Sequence, residues 1–395
     1  MKTHIRIFSF FAAAALLFLL CGCGAASPGS TQTEATTLPP LRKIGCIVPD
    51  SATVGSMTYR MLADLRQAAQ ETDGFDTQIL LQTGITDAAV PEGEKLPPPT
   101  TQTTTSPPEP ESFTDKDGKV YIEAVPVTPA SPLTASYAAS RLIEDACEVI
   151  VFADARYDAF SAWLAEKYPD LYVLQYEGKE TNLSNRQTFS IDARAPFYMA
   201  GAVAAARGDM RIGFTAGRDT AQNRACINAF ALGAASENEK TQIIVRFLGA
   251  DSDLVLERTV PAMLLEEDGC TLLAQSVLTA LPVAAAAEKK AACIGFGYDM
   301  AADGGAQYVC SVVLHFDVFF RQALSAVADG SFSAAVFQGN AENGAASLSE
   351  LHHATDAMGQ ALSRSEKAAE KTDVFRAEPS NITILQGREK NGETD

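Results

Sequence analysis

The residues of this chain best placed to do chemistry are polar side chains that follow short apolar runs. Asp50 and Thr53 follow 43–48, Asp154 and Tyr157 follow 148–152, and Arg218 and Asp219 follow 211–215. Asp251 follows 242–247, Gln275 ends 271–275, and Tyr298 and Asp299 follow 292–296. Carboxylates, a guanidinium, an amide and phenols in such loops can hold a polar ligand by hydrogen bonds. Polar residues at strand ends also cap helices, so the group matters more than any member. Catalysis has no motif behind it. G-x-x-x-x-G-K-[ST] and G-x-S-x-G are absent, and Gly295-Phe-Gly297 lacks the third glycine of a dinucleotide loop. No paired carboxylates stand out as acid and base. Cys46, Cys147, Cys226, Cys270, Cys293 and Cys310 form no C-x-x-C pair, so no zinc site and no cofactor is expected. These six read as buried thiols, with one disulfide open in an exported protein. The adjacent His352 and His353 cannot face one way on a helix.

The elements that must position these side chains alternate regularly. Strands are predicted at 43–48, 76–81, 148–152, 171–175, 187–191, 211–215, 242–247, 271–275 and 292–296. Helices are predicted at 56–71, 134–146, 157–167, 194–207, 220–236, 254–265, 278–289 and 315–329. In the first helix Met57, Met61, Leu62, Leu65 and Ala68 recur at three- and four-residue steps and give one apolar face. Strands alternating with helices imply an α/β fold with parallel sheets and right-handed crossovers. The units are too many for one small sheet, so two doubly wound lobes joined by a hinge are expected. In such sheets ligands bind beyond the carboxyl ends of the strands.

The amino terminus carries a second kind of signal. Lys2 and Arg6 precede an apolar run from Ile7 to Leu20, and Leu20-Cys21-Gly22 stands before Cys23 as a lipobox does. The run is short for a bilayer span and suits a leader that is removed. An ordinary secretory leader and a retained anchor are the alternatives. With lipid on Cys23 the chain would be held at the extracytoplasmic face of the cell membrane by its acyl chains, palmitate among them. The net charge of −18 argues against nucleic acid as a partner. The expected organisation is a leader at 1–22, a flexible tether at 23–41 and a loose tail at 386–395. The first lobe is expected at 42–190 plus 297–330, with a Pro/Thr-rich insertion at 91–132 in which 119–127 is strand-like. The second lobe is expected at 191–296 plus 331–385.

Three stretches carry a resemblance. They are Ile191–Ala205, then Arg211–Asp219 with Asn223–Gly233, then Ile294–Asp299 with Val327–Phe332. Together with the lipobox they are similar to the basic membrane protein family of substrate-binding lipoproteins. The resemblance implies the type 1 periplasmic-binding-protein fold, no enzymatic activity, and delivery of nucleosides to an ABC transporter permease. It also marks departures. The family's first loop carries an Asn-Asp pair and a base-stacking aromatic where this chain has Thr53, Val54 and Met57, and a second aromatic place is Asp251. The ribose-binding Asp corresponds to Gly297, with Asp299 two places on, and the cleft Lys corresponds to Leu314 beside His315. These differences imply a smaller or more polar ligand. The alternative is a surface sensor or partner-binding lipoprotein without an importer role.

Overall fold

Four consecutive positions of Lys43–Ile47 are buried, as expected of a strand covered on both faces by helices. The computed structural model describes residues 40–49, 57–96, 112–114, 120–122, 133–249, 253–277 and 279–385. The leader, Cys23, most of the tether and the tail 386–395 lie outside the described residues, as do Asp50, Thr53 and Asp251.

The chain begins with β1 (Lys43–Ile47), α1 (Met57–Glu71) and β2 (Leu80–Gln82). Three short strands follow, β3 (Ile85–Asp87), β4 (Ser112–Thr114) and β5 (Val120–Ile122), then β6 (Leu133–Thr134) and α2 (Ala135–Glu144). Next come β7 (Cys147–Phe152), α3 (Asp158–Lys167), β8 (Tyr172–Tyr176) and β9 (Arg186–Ile191). The second half contains α4 (Arg194–Arg207), β10 (Arg211–Ala216), α5 (Ala221–Glu237), β11 (Gln242–Phe247), α6 (Leu256–Glu266) and β12 (Leu272–Ser276). It continues through α7 (Leu281–Glu288), β13 (Ala292–Gly297), α8 (Ala301–Gly304), β14 (Tyr308–Leu314) and α9 (Phe316–Asp329). It closes with β15 (Ala335–Gly339), β16 (Ala346–Leu348), α10 (Asp356–Ala369) and β17 (Ile382–Leu385).

Two sheets organise these elements. The first has the order β15-β9-β8-β7-β1-β2, and the second β16-β14-β13-β12-β10-β11-β17. Within these two sheets every pairing is parallel except β14 with β16. The α/β class and the two-sheet plan are therefore as expected. The lobe boundaries are not. β14 was expected in the first lobe, yet it pairs with β13 in the second sheet. β15 was expected in the second lobe, yet it pairs with β9 in the first. The chain crosses between sheets only after a sheet strand is complete, at 192–193, at 315 and at 340–345. The strand expected at 76–81 shrinks to Leu80–Gln82 because the Asp76 carboxylate accepts from the Gln78 N–H and turns the chain.

The three crossings are tied to one another. The Asp192 N–H donates to Gly339 O at 2.7 Å, and the His315 N–H donates to Ala345 O at 2.8 Å. His315 Nε2 lies 2.7 Å from Ser347 Oγ. Gly339 permits this closeness, since a Cβ there would lie 2.6 Å from Ala345 Cβ.

Beside the second crossing, the buried Asp64 of α1 accepts from the Phe316 N–H at 3.1 Å and so caps α9 from another helix. Arg60 Nη2 pairs with it at 2.6 Å. Burial nevertheless raises its carboxyl from the ordinary 3.8 to about 6, with Asp317 adding to the rise. A carboxyl whose folded value lies above its unfolded value weakens the fold when ionised. Stability should therefore rise as pH falls from about 6 towards 4, by up to about 3 kcal/mol from this group. Denaturant midpoints across that window should show it. Asp64→Asn, which keeps the acceptor oxygen, should flatten the trend.

Candidate functional site

Glu177 directly follows β8 and Asp192 directly follows β9, and both lie at the carboxyl edge of the first sheet. Opposite them stand the first turns of α5, from the second lobe. Between the two is a cavity of about 450 Å³ whose lining includes Glu177, Ser190, Asp192, Arg194, Gln222 and Cys226. That volume falls within the usual range for small-molecule sites. Its position, beyond the strand ends and beside the first crossing, is the one the sheet topology predicts.

The first-lobe wall is rigidly built. Glu177 is held at φ 53°, a left-handed conformation uncommon for a residue other than glycine. Its N–H donates to Phe189 O at 2.7 Å. The next residue, Gly178, has no room for a side chain, since a Cβ would lie 2.5 Å from Gln175 Cγ and 2.9 Å from Arg186 Nη2. Burial keeps the Tyr176 phenol protonated far above its ordinary range, with the neighbouring Glu177 adding to the rise. Asp192 takes three contacts from the Arg194 guanidinium, two through Nε at 3.0 Å and one through Nη2 at 2.6 Å, and a fourth from the Arg194 N–H at 2.9 Å. The same guanidinium lies over the Phe375 ring at 5.3 Å. Burial pushes the Cys226 thiol up to about 12, with Asp192 adding to it and Arg194 opposing. It is therefore neutral and unreactive at ordinary pH.

The residues picked from sequence take other places around the cleft. Asp154 caps a 3-10 turn, accepting from the Arg156 N–H and pairing with Arg156 Nε at 2.8 Å. Tyr157 is fully buried, and its hydroxyl donates to Ile85 O at 2.6 Å, so its side chain belongs to the core of the first lobe. Asp219 holds Arg224 in a fork, and the Arg218 carbonyl accepts from Asn223 Nδ2. Gln275 is buried and donates to Thr279 O at 3.0 Å. Tyr298 reaches Asp303 at 3.3 Å, and Asp299 accepts from the Tyr308 hydroxyl at 2.7 Å. Met57 opens α1. Asp154, Tyr157, Arg218, Asp219, Gln275, Tyr298 and Asp299 do not line the cavity. Glu177, Ser190, Asp192, Arg194, Gln222 and Cys226 were not singled out. The strand-end rule reaches Glu177 and Asp192 once it is applied to the runs at 171–175 and 187–191 as well.

Among the described residues no group of three or more His, Cys, Asp or Glu is placed to hold a metal ion. Among the described residues the six cysteines are buried and no disulfide joins them. No described helix is long and apolar enough to cross a membrane.

Two doubly wound lobes, three crossings and a cavity at the strand ends define a type 1 periplasmic-binding-type solute-binding protein. Residues 120–355 match the family model of PnrA-like ABC transporter substrate-binding proteins (Bmp), and the chain belongs to that family. The family is one of solute-binding proteins, not of enzymes. TsgA13 of Haloferax volcanii, a protein assigned to ABC transporter glucose binding, is 30% identical over 188 residues. That match takes in 47% of this chain and 48% of the relative, so the chain spans about half the length of the curated relative it matches. Among solved structures, a transcriptional activator of the comK gene from Bacillus halodurans superposes with a TM-score of 0.60 at 16% identity. It covers 84% of this chain and 98% of its own. An ABC transporter solute-binding protein from Conexibacter woesei superposes with a TM-score of 0.59 at 16% identity, covering 86% and 99%. At such identities these likenesses describe the fold.

Proposed function

We propose that the chain is a lipid-anchored, extracytoplasmic solute-binding protein that delivers a small polar ligand to the permease of an ABC importer. The observation that carries this reading is the cavity of about 450 Å³, with Glu177, Asp192, Arg194 and Gln222 in its wall, beside the first of three tied crossings. Lobes joined in this way can close on a ligand by hinge motion, and a permease can distinguish the closed form from the open one. The lipobox at Leu20–Cys23 supports anchoring through Cys23. A nucleoside is the ligand the family resemblance implies.

Thermal unfolding of the protein against nucleosides, nucleobases, sugars and amino acids tests the reading. A ligand at 100 times its dissociation constant should add about 2.7 kcal/mol of stability, seen as a raised Tm. If no solute raises it, the binding function is wrong and a partner-binding role takes its place.

A further inference from the structure

We infer that Glu177 sets the ligand class, and that the cavity takes a small solute bearing a protonated amine whose ammonium sits against this carboxylate. The inference rests on the solute-binding reading above. The two other charged groups lining the cavity cancel, because Asp192 is engaged by the Arg194 guanidinium through three contacts. Cys226 is a neutral thiol. Glu177 makes no ion pair with a Lys or Arg among the described residues. The guanidiniums of the same lobe are spent elsewhere, Arg156 on Asp154 and Arg186 on Asp158. The cavity wall therefore carries one uncompensated negative charge, already half removed from water.

Closing two lobes over an unpaired carboxylate removes more of its hydration, which is unfavourable unless a cation arrives with the ligand. An ammonium supplies both the charge and donors for charge-assisted hydrogen bonds. The left-handed backbone at Glu177 and the packed Gly178 fix where the Glu177 side chain leaves the main chain before the ligand arrives, and such strain is usually retained at functional sites. Among the described residues lining the cavity none is aromatic, so no described wall offers a base a stacking face. The net charge of −18 would steer cationic solutes towards the protein.

Calorimetric titration of the full chain compares L-lysine, L-arginine, putrescine and spermidine with adenosine, inosine, uridine and D-glucose. The expected result is saturable binding of at least one amine, weakened tenfold or more by Glu177→Gln and weakened by added salt. The unliganded Tm of the variant should match that of the parent. If a neutral nucleoside or sugar binds and no amine does, the amine inference is overturned, whatever Glu177→Gln does, and the solute-binding reading stands. If no probe of either kind binds, both fall.

Discussion

Replacing Gly201 or Gly233 with alanine should destabilise the protein by about 3 kcal/mol, although each glycine lies inside a helix. Helix propensity alone predicts the opposite, a gain of about 1 kcal/mol. Packing decides the sign. α4 and α5 cross with their backbones almost touching. A Cβ on Gly201 would lie 1.9 Å from Phe230 O, and one on Gly233 would lie 1.9 Å from Tyr198 O. The obstacle in each case is main chain, which cannot swing aside as a side chain can, so the helices must part. Moving them apart would disturb Phe197, Phe214 and Phe230, which pack against one another at ring distances of 5.8 and 5.5 Å. Gly359 of α10 is the internal control. Nothing lies within 4 Å of its added Cβ, so Gly359→Ala should stabilise by up to about 1 kcal/mol. Urea midpoints of the three variants check the argument. A neutral Gly201→Ala would mean that the seam is looser than this geometry.

The second large effect is expected at Asp158. Its carboxylate lies 2.6 Å from Arg186 Nη2, and the Arg186 side chain is completely buried. Ser161 Oγ and the Lys179 carbonyl complete the guanidinium's partners. Burial lowers the Arg186 pKa while Asp158 opposes the shift. Removing the carboxylate leaves a buried cation without a counter-charge, so Asp158→Ala should cost about 3–5 kcal/mol. Asp158→Asn keeps an acceptor and should cost less. The double variant with Arg186→Met should recover part of the loss, because the stranded charge is gone. Asp158 Oδ1 also accepts from the Lys179 N–H, so the loop carrying Glu177 should loosen with it and ligand affinity should fall. Chemical denaturation together with titration reads both consequences.

Much of the fold is legible in the sequence because periodicity reports burial. Nine strands and eight helices appear near their expected places. Ala292–Gly297 and Arg211–Ala216 are apolar runs bounded by turns, and α9 shows its apolar face at helical spacing. Some of the elements that escape have a mixed pattern, although β14, also missing from the expected strands, is buried along its whole length. β15 is mostly exposed along Ala335–Gly339, and β17 is four residues at a sheet edge with none fully buried, so neither reads as a buried strand. The lobe boundaries escape for another reason. Nothing local in Leu314-His315-Phe316 says that the chain leaves one sheet for the other there. The site was readable only as a rule of topology. Local polarity pointed to Tyr157 and Gln275, whose polar atoms satisfy backbone carbonyls instead. Glu177, held in place by tertiary packing, has no sequence signature of its own.

The late arrival of β15 constrains how the molecule can be made. β9 exposes an unpaired edge until Ala335–Gly339 has been synthesised, and by then β10 to β14 of the other sheet already exist. The first lobe therefore cannot finish folding as it emerges. Its open parallel edge is a template for pairing with another chain for as long as synthesis or export lasts. Any shortened product ending before residue 335 keeps that edge permanently, and neither lobe can be cut out as one continuous segment.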